Sequence, residues 1–254
     1  FPETDEPTLS NIHFTLKEGQ TLGIVGRTGS GKSSIIRLLL REFDTSQDNS
    51  VEINGLDIKQ YDIKKLRQLF GYVPQDNFLF STTIRNNIAF TDPSMQLEKI
   101  HHAADLSYIH RDISAFPAGY DTVVGERGVS LSGGQKQRIS IARALIQDPE
   151  ILILDDSLSA VDAETETSIL QNIEQNRKGK TNIITAHRMS AVRNADLILV
   201  MENGTIIERG NHASLTAEKG WYYDTFKAQS LRQNLEKALD HTLEGGDSDD
   251  NRRH

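Results

Sequence analysis

The segment Gly26-Arg27-Thr28-Gly29-Ser30-Gly31-Lys32-Ser33 sets glycines at its first and sixth places and follows the second with a lysine and a serine. That spacing, G-x-x-x-x-G-K-[ST], describes a loop whose backbone N–H groups can converge on phosphate oxygens. Glycine permits such a backbone and lets it approach a ligand closely. A helix starting at the loop adds the positive end of its dipole. Lys32 is then placed to reach the β- and γ-phosphates of a nucleoside triphosphate. Ser33 would set its hydroxyl on Mg2+, and Arg27, Thr28, Gly29, Ser30 and Ser34 complete the cradle. A plain glycine-rich turn capped by Ser33 is the competing reading. The apolar strand before the loop and the apolar helix after it favour the phosphate loop.

A phosphate loop needs an acidic partner for the metal, usually at the end of a buried strand. Ile151-Leu152-Ile153-Leu154 is such a strand, and it runs directly into Asp155-Asp156. Asp155 is the expected metal residue. Asp156 stands where a general base for an attacking water would sit, a role that requires reach as well as a suitable pKa.

The elements that must hold these groups can be traced along the chain. Thr21–Val25 reads as a short buried strand and Ser33–Arg41 as a buried helix. Leu9–Leu16 alternates apolar and polar residues and predicts an antiparallel strand with one solvated face. Val51–Ile53 leads into an Asn54-Gly55 turn. Phe70–Val73, Ile183–Thr185 and Leu197–Val200 read as further strands, the last turning at Asn203-Gly204 into Thr205–Glu208. Residues from about 77 to 145 are polar and helix-rich, and predict a helical lobe inserted into the α/β lobe. The expected fold is therefore α/β, with a mostly parallel sheet, an antiparallel β subdomain and an inserted helical subdomain. The formal charge of −8 across 254 residues gives no general attraction to nucleic acid. The absence of cysteine excludes disulfides and thiolate metal sites. No apolar run approaches the roughly 18–20 residues of a membrane span. The chain opens at Phe1 without a methionine, which predicts a piece of a longer polypeptide.

Leu131-Ser132-Gly133-Gly134-Gln135, in one chain with the phosphate loop and Asp155, resembles the signature of ABC transporter ATPases. The resemblance covers roughly residues 1–230 and implies an ATPase domain that pairs head-to-tail with a second subunit around two ATP. Ser132, Gly133, Gly134 and Gln135 would then face the γ-phosphate bound by the other subunit. Gln75, after Tyr72-Val73-Pro74, is similar to the glutamine that contacts Mg2+ and senses the membrane domain. Ser159-Ala160-Val161-Asp162 resembles the D-loop, whose Asp162 faces the nucleotide. His187 resembles the switch histidine at the γ-phosphate, and Phe1 the aromatic residue that stacks on adenine. Thr122–Gly128 is similar to an exporter segment that meets the cytoplasmic loops of transmembrane domains, and with Asn77–Phe80 it points to exporters rather than importers. The resemblance thus implies ATP and Mg2+ as ligands, transmembrane domains as partners and the cytoplasmic face of a membrane as location. Residues 231–254 lie outside it and predict a C-terminal helix, striped by Leu231, Leu235, Leu239 and Leu243, followed by a disordered polar end from Gly245.

One position departs from the family pattern. Most active members have glutamate where this chain has Asp156, and aspartate stops about an ångström short, a misplacement that can cost ~10²-fold in rate. Two-subunit bacterial multidrug exporters often combine this substitution with an intact signature in one subunit. The favoured expectation is therefore a heterodimer whose site on this chain is slow, with a homodimer as the alternative. Two rival functions are a soluble ABC-type ATPase of DNA maintenance and a regulatory ATP-sensing module.

Overall fold

The computed structural model describes residues 8–45, 49–125 and 128–246, with the backbone course alone over 236–246. Phe1, Glu126, Arg127 and the end from 247 lie outside the described residues.

The core is a six-stranded sheet. Its strands are β1 (Thr21–Gly26), β4 (Phe70–Val73), β5 (Ile151–Asp155), β6 (Thr181–Ala186), β7 (Leu197–Glu202) and β8 (Thr205–Gly210). They lie in the order β4-β5-β6-β1-β7-β8. The first five are mutually parallel, and β8 returns antiparallel to β7. Strands β1, β5, β6 and β7 are buried almost throughout, as sheets covered on both faces require, which is why they read as continuous apolar runs. The edge strand β8 has no fully buried residue, and its later positions alternate with exposed ones. Alternate residues feed two cores. Leu22, Ile24, Ile153, Ile183 and Leu199 pack on one face with Ile35 and Ile36 of α1 (Lys32–Leu39). Val25, Leu152, Leu154, Ile184 and Val200 pack on the other with Ile169 and Ile173 of α7 (Ala163–Asn176).

A third core lies among helices. It joins Ile84 and Ile88 of α3 (Ile84–Ile88), Ile100 and Ala104 of α4 (Leu97–Leu106), Ile113 of α5 (His110–Ala115) and Ile139 of α6 (Gly133–Leu145). Helix α6 is the joint between this core and the sheet. Its Ile139 and Ala142 enter the helical core, whereas Ile141, Ala144 and Leu145 enter the sheet core. The remaining elements are a two-residue hairpin of β2 (Glu52–Ile53) and β3 (Leu56–Asp57), with α2 (Ile63–Gln68), α8 (His212–Glu218) and α9 (Trp221–Gly246). Among the described residues no helix is long and apolar enough to cross a membrane.

Two expectations need correction. Leu9–Leu16 forms no strand. Leu9, Ile12, Phe14 and Leu16 do pack on the sheet, but Asn11 takes a left-handed φ of 53°, which breaks an extended run. What ties the segment down is a bond from Ser10 N–H to Gly204 O at 2.9 Å and one from Arg209 to His13 O at 3.2 Å. The antiparallel pairs among the described residues are β2–β3 and, at the sheet edge, β7–β8. The last helix begins at Trp221 and continues through Gly245 and Gly246, so these two residues belong to it.

Because α6 serves two cores, truncating it should be costly. Ile141→Ala is expected to lower the unfolding free energy by ~2–5 kcal/mol, the range for large-to-small changes in a tight core. Urea unfolding measures it, and a loss below about 1 kcal/mol would contradict the packing described.

Candidate functional site

The carboxyl ends of the parallel strands form one edge of the sheet, the place where ligands bind in open α/β folds. Gly26 ends β1 there with φ 151°, and a Cβ would run into the Met201 carbonyl and sit 2.8 Å from Ser30 Oγ. Gly31 precedes α1 at φ 100°, with a Cβ position 2.8 Å from Leu9 Cδ2. Both positions therefore exclude side chains. The loop is braced from within by Ser30 N–H on Arg27 O at 3.1 Å, and from outside by Gly204 N–H on Ser30 O at 3.0 Å. Arg27, Thr28 and Gly29 are exposed, Ser30 is buried and Ser34 is half-buried.

Helix α1 starts with no side-chain cap and no acidic residue in its first turn. Its leading N–H groups thus lack the usual internal partner and favour an anion. Lys32, 7% exposed, folds back so that Nζ donates to Gly26 O at 2.9 Å and Arg27 O at 3.0 Å. Burial lowers its pKa, opposed by the charges of Asp156 and Asp155.

Asp155 is 4% exposed at the end of β5. Its Oδ1 accepts from Thr185 Oγ1 at 2.6 Å and from Ser33 Oγ at 3.2 Å, and its Oδ2 lies 3.5 Å from the Tyr72 hydroxyl. Thr185 faces Asp155 because the β5–β6 register pairs them. Burial, and then the Asp155 charge, push the Tyr72 hydroxyl up to about 12. Thr185 and Tyr72 were not anticipated from the sequence; their position at strand ends beside Asp155 is a signal only once the strand order is known. The Ser33 hydroxyl and Asp155 carboxylate make a hard-oxygen pair. No group of three His, Cys, Asp or Glu among the described residues could hold a metal. One carboxylate and one hydroxyl suit Mg2+, which keeps waters and phosphate oxygens as its other ligands.

Asp156 has a left-handed φ of 47°, a conformation Asp tolerates better than most residues. Its N–H donates to Thr185 Oγ1 at 2.9 Å and Thr185 O at 3.1 Å. Its carboxylate, 12% exposed, lies 3.8 Å from Nε2 of the half-exposed His187. Burial raises its pKa, with the Asp155 charge adding to the effect and His187 and Lys32 opposing it.

The other expected residues lie apart. Gln75 is exposed just past β4, its carbonyl accepting from Asn77 Nδ2 at 3.2 Å. No described hydrogen bond joins its side chain to Ser33 or Asp155. Ser132 caps α6: Gln135 N–H donates to Ser132 Oγ at 3.2 Å, and Ser132 N–H to Gln135 Oε1 at 3.0 Å. Gly134 passes so close to Ala160 O that a Cβ would lie at 3.0 Å, whereas Gly133 is exposed. Asp162 caps α7 through the N–H groups of Glu164 and Thr165. Gln137, also not anticipated, ties the two helix starts together by accepting from Ala160 N–H at 2.9 Å and approaching Ser159 Oγ at 3.4 Å. Among the described residues, no hydrogen bond or ion pair joins Ser132–Gln135 to the phosphate loop. Phe1 lies outside the described residues.

A phosphate loop at a strand end, a buried carboxylate on the second strand over and a capped glycine pair on a separate helix define a nucleotide-binding ATPase domain. The family model for ABC transporters matches residues 9–159. Over 231 residues the chain is 50% identical to the probable multidrug resistance ABC transporter ATP-binding/permease protein YheI of Bacillus subtilis, a match covering 91% of this chain and 39% of the relative. It is 48% identical over 248 residues to the multidrug resistance-like ATP-binding protein MdlA of Escherichia coli, covering 98% and 42%. The solved structure of a bacterial Atm1-family ABC exporter with ATP bound matches at a TM-score of 0.85 and 39% identity, covering 89% of this chain and 40% of that one. The chain spans about two fifths of the length of these curated relatives. It belongs to the ABC transporter family, as a nucleotide-binding ATPase domain of the exporter type.

The pH behaviour of Asp156 gives a direct check. Its folded pKa lies above the ordinary 3.8, so the folded state binds more protons than the unfolded one between those values. Stability from this group is therefore lost as pH rises through the raised value. Asp156→Asn should melt at a higher temperature than the parent without nucleotide, by a margin that grows as pH rises from about 4 and levels off above the raised value. A margin that shrinks over that range would contradict the burial described.

Proposed function

We propose that this domain is the motor of an exporter, driving a drug- or lipid-like substrate across a membrane from its cytoplasmic face with transmembrane domains as partners. The observation that carries the reading is the cleft where Lys32 spans two loop carbonyls beside the Ser33–Asp155 pair. Residues 1–230 form the ATPase domain, with a helical lobe at about 77–145, and 231–254 form an appended tail.

ATP enters at the start of α1. Lys32 exchanges its two carbonyl partners for β- and γ-phosphate oxygens, and the uncapped N–H groups of α1 orient the same phosphates. Ser33 and Asp155, joined by Gln75, would hold Mg2+, which supplies charge neutralisation on the phosphates when bound. His187 orients the terminal phosphate, Phe1 covers the adenine, and Gly26–Gly31 with Ser34 exclude bulk water from the phosphates. Hydrolysis breaks the bond from the terminal phosphorus to the bridging oxygen while a water oxygen adds. The water proton is taken at a carboxylate. On this chain that carboxylate is Asp156, whose short side chain leaves the water poorly aligned.

Ser132, Gly133, Gly134, Gln135 and Asp162 act in trans, completing the site of a second ABC subunit. Their separation from this chain's own phosphate loop supports a head-to-tail pair. A heterodimer is favoured over a homodimer, with the partner carrying the faster site. Nucleic acid has no part in this reading.

Lys32→Ala should abolish tight Mg-ATP binding at this chain's site, read by calorimetry, and unchanged affinity would count against the phosphate-loop assignment. In the assembled protein, Ser132→Arg should nearly abolish ATP turnover, while Asp156→Asn should change it little. A thermal melt of Ser132→Arg accounts separately for the lost helix cap, worth about 1 kcal/mol. Equal loss of turnover in both variants would make Asp156 an active base and end the asymmetric reading.

A further inference from the structure

The turn after β6 is held by three different elements. The His187 imidazole lies 3.8 Å from the Asp156 carboxylate, and the His187 carbonyl accepts from Gln229 Nε2 at 2.8 Å. Arg188 donates to Glu166 at 3.1 Å and to Val161 O at 2.9 Å. Met189 N–H donates to Gln229 Oε1 at 2.8 Å, and the Met189 side chain is buried. One side-chain amide thus spans the turn, its donor on the carbonyl of His187 and its acceptor on the N–H of Met189. The 3₁₀ turn that begins at Met189 has no side-chain cap of its own from Arg188. With its backbone gripped on both sides, the group that projects from this turn is the His187 imidazole, beside Asp156.

Gln229 comes from α9, well outside the segment 9–159 matched by the family model. The helix that carries it is firmly seated. The N–H groups of Trp221 and Tyr222 bond the Glu208 carboxylate of β8. Tyr222 is fully buried in the core that also holds Met189, and Phe226 packs against that core. The spacing of Tyr222, Phe226 and Gln229 puts all three on one helix face. Gln229 is therefore delivered to the turn by a rigid element.

We propose that Gln229 is a positioning residue, which fixes the turn that aims His187 at the terminal phosphate of bound nucleotide. This rests on the reading of His187 as the γ-phosphate contact. Without the amide, a backbone carbonyl and N–H lose their protein partners and the turn gains alternative conformations. The cost falls on a contact to the terminal phosphate, which a diphosphate lacks, because the loop around Lys32 is untouched.

The test measures affinity for ATP and for ADP at this chain in the assembled protein. Each nucleotide competes with 8-azido-ATP photolabelling, scored on this chain alone. Gln229→Met keeps the length of the side chain and removes the amide. It should weaken ATP binding by about three- to tenfold, the worth of one ordinary hydrogen bond, and leave ADP affinity unchanged. Gln229→Glu retains the acceptor for Met189 N–H and should retain part of the ATP preference. His187→Ala should reduce the preference at least as far as Gln229→Met does, and adding Gln229→Met to it should change nothing further. A Gln229→Met variant that keeps the full preference, or that weakens ATP and ADP equally as general loosening would, overturns the inference while the His187 reading stands. Full ATP preference in His187→Ala overturns both.

Discussion

A carboxylate buried at the end of a central strand is costly unless neighbouring groups donate to it. At Asp155 this requirement organises the cleft. Thr185 satisfies it from the adjacent strand, Ser33 from the helix that follows the phosphate loop, and Tyr72 from the strand on the other side. These donors come from β6, α1 and β4, so the carboxylate is a meeting point for parts of the chain distant in sequence. The same Thr185 hydroxyl accepts the Asp156 N–H, which links the two adjacent aspartates. Lys32 lies in the field of both carboxylates, and their charges offset part of its burial.

Asp156 combines two constraints. Its backbone is left-handed, and its carboxylate is both desolvated and opposite His187. Burial favours the protonated form, while the neighbouring imidazole and Lys32 oppose it.

The glycine pair of the signature has a different kind of support. Ser132 and Gln135 spend their side chains on capping α6, and Gln137, one turn into that helix, binds the backbone that leads to Asp162. Helix α6 in turn divides its apolar residues between the sheet core and the helical core. The signature thus sits on the element common to both cores, which fixes its position relative to the sheet without any bond to the phosphate loop.

Much of this was legible in the sequence, because local rules are strong where they apply. A glycine-rich loop between an apolar strand and helix, continuous apolar runs for strands covered on both faces, and Ser or Asp at a helix start each express local backbone geometry. The phosphate loop, Asp155 and most strands follow from them, whereas the signature is legible only through its resemblance to that of ABC transporter ATPases. Leu9–Leu16 shows where such rules stop: its side-chain pattern is that of a strand and its residues do pack on the sheet, yet Asn11 turns the backbone out of line. Thr185, Tyr72, Gln137 and Gln229 carry no local signal, since each matters through a partner between 23 and 83 residues away. The sequence by itself determined which groups could bind a triphosphate and which elements present them. The tertiary structure alone decided which uncharged side chains hold those groups in place, because a hydrogen-bond partner is chosen by strand order and helix packing, which bring together residues that no spacing along the chain relates.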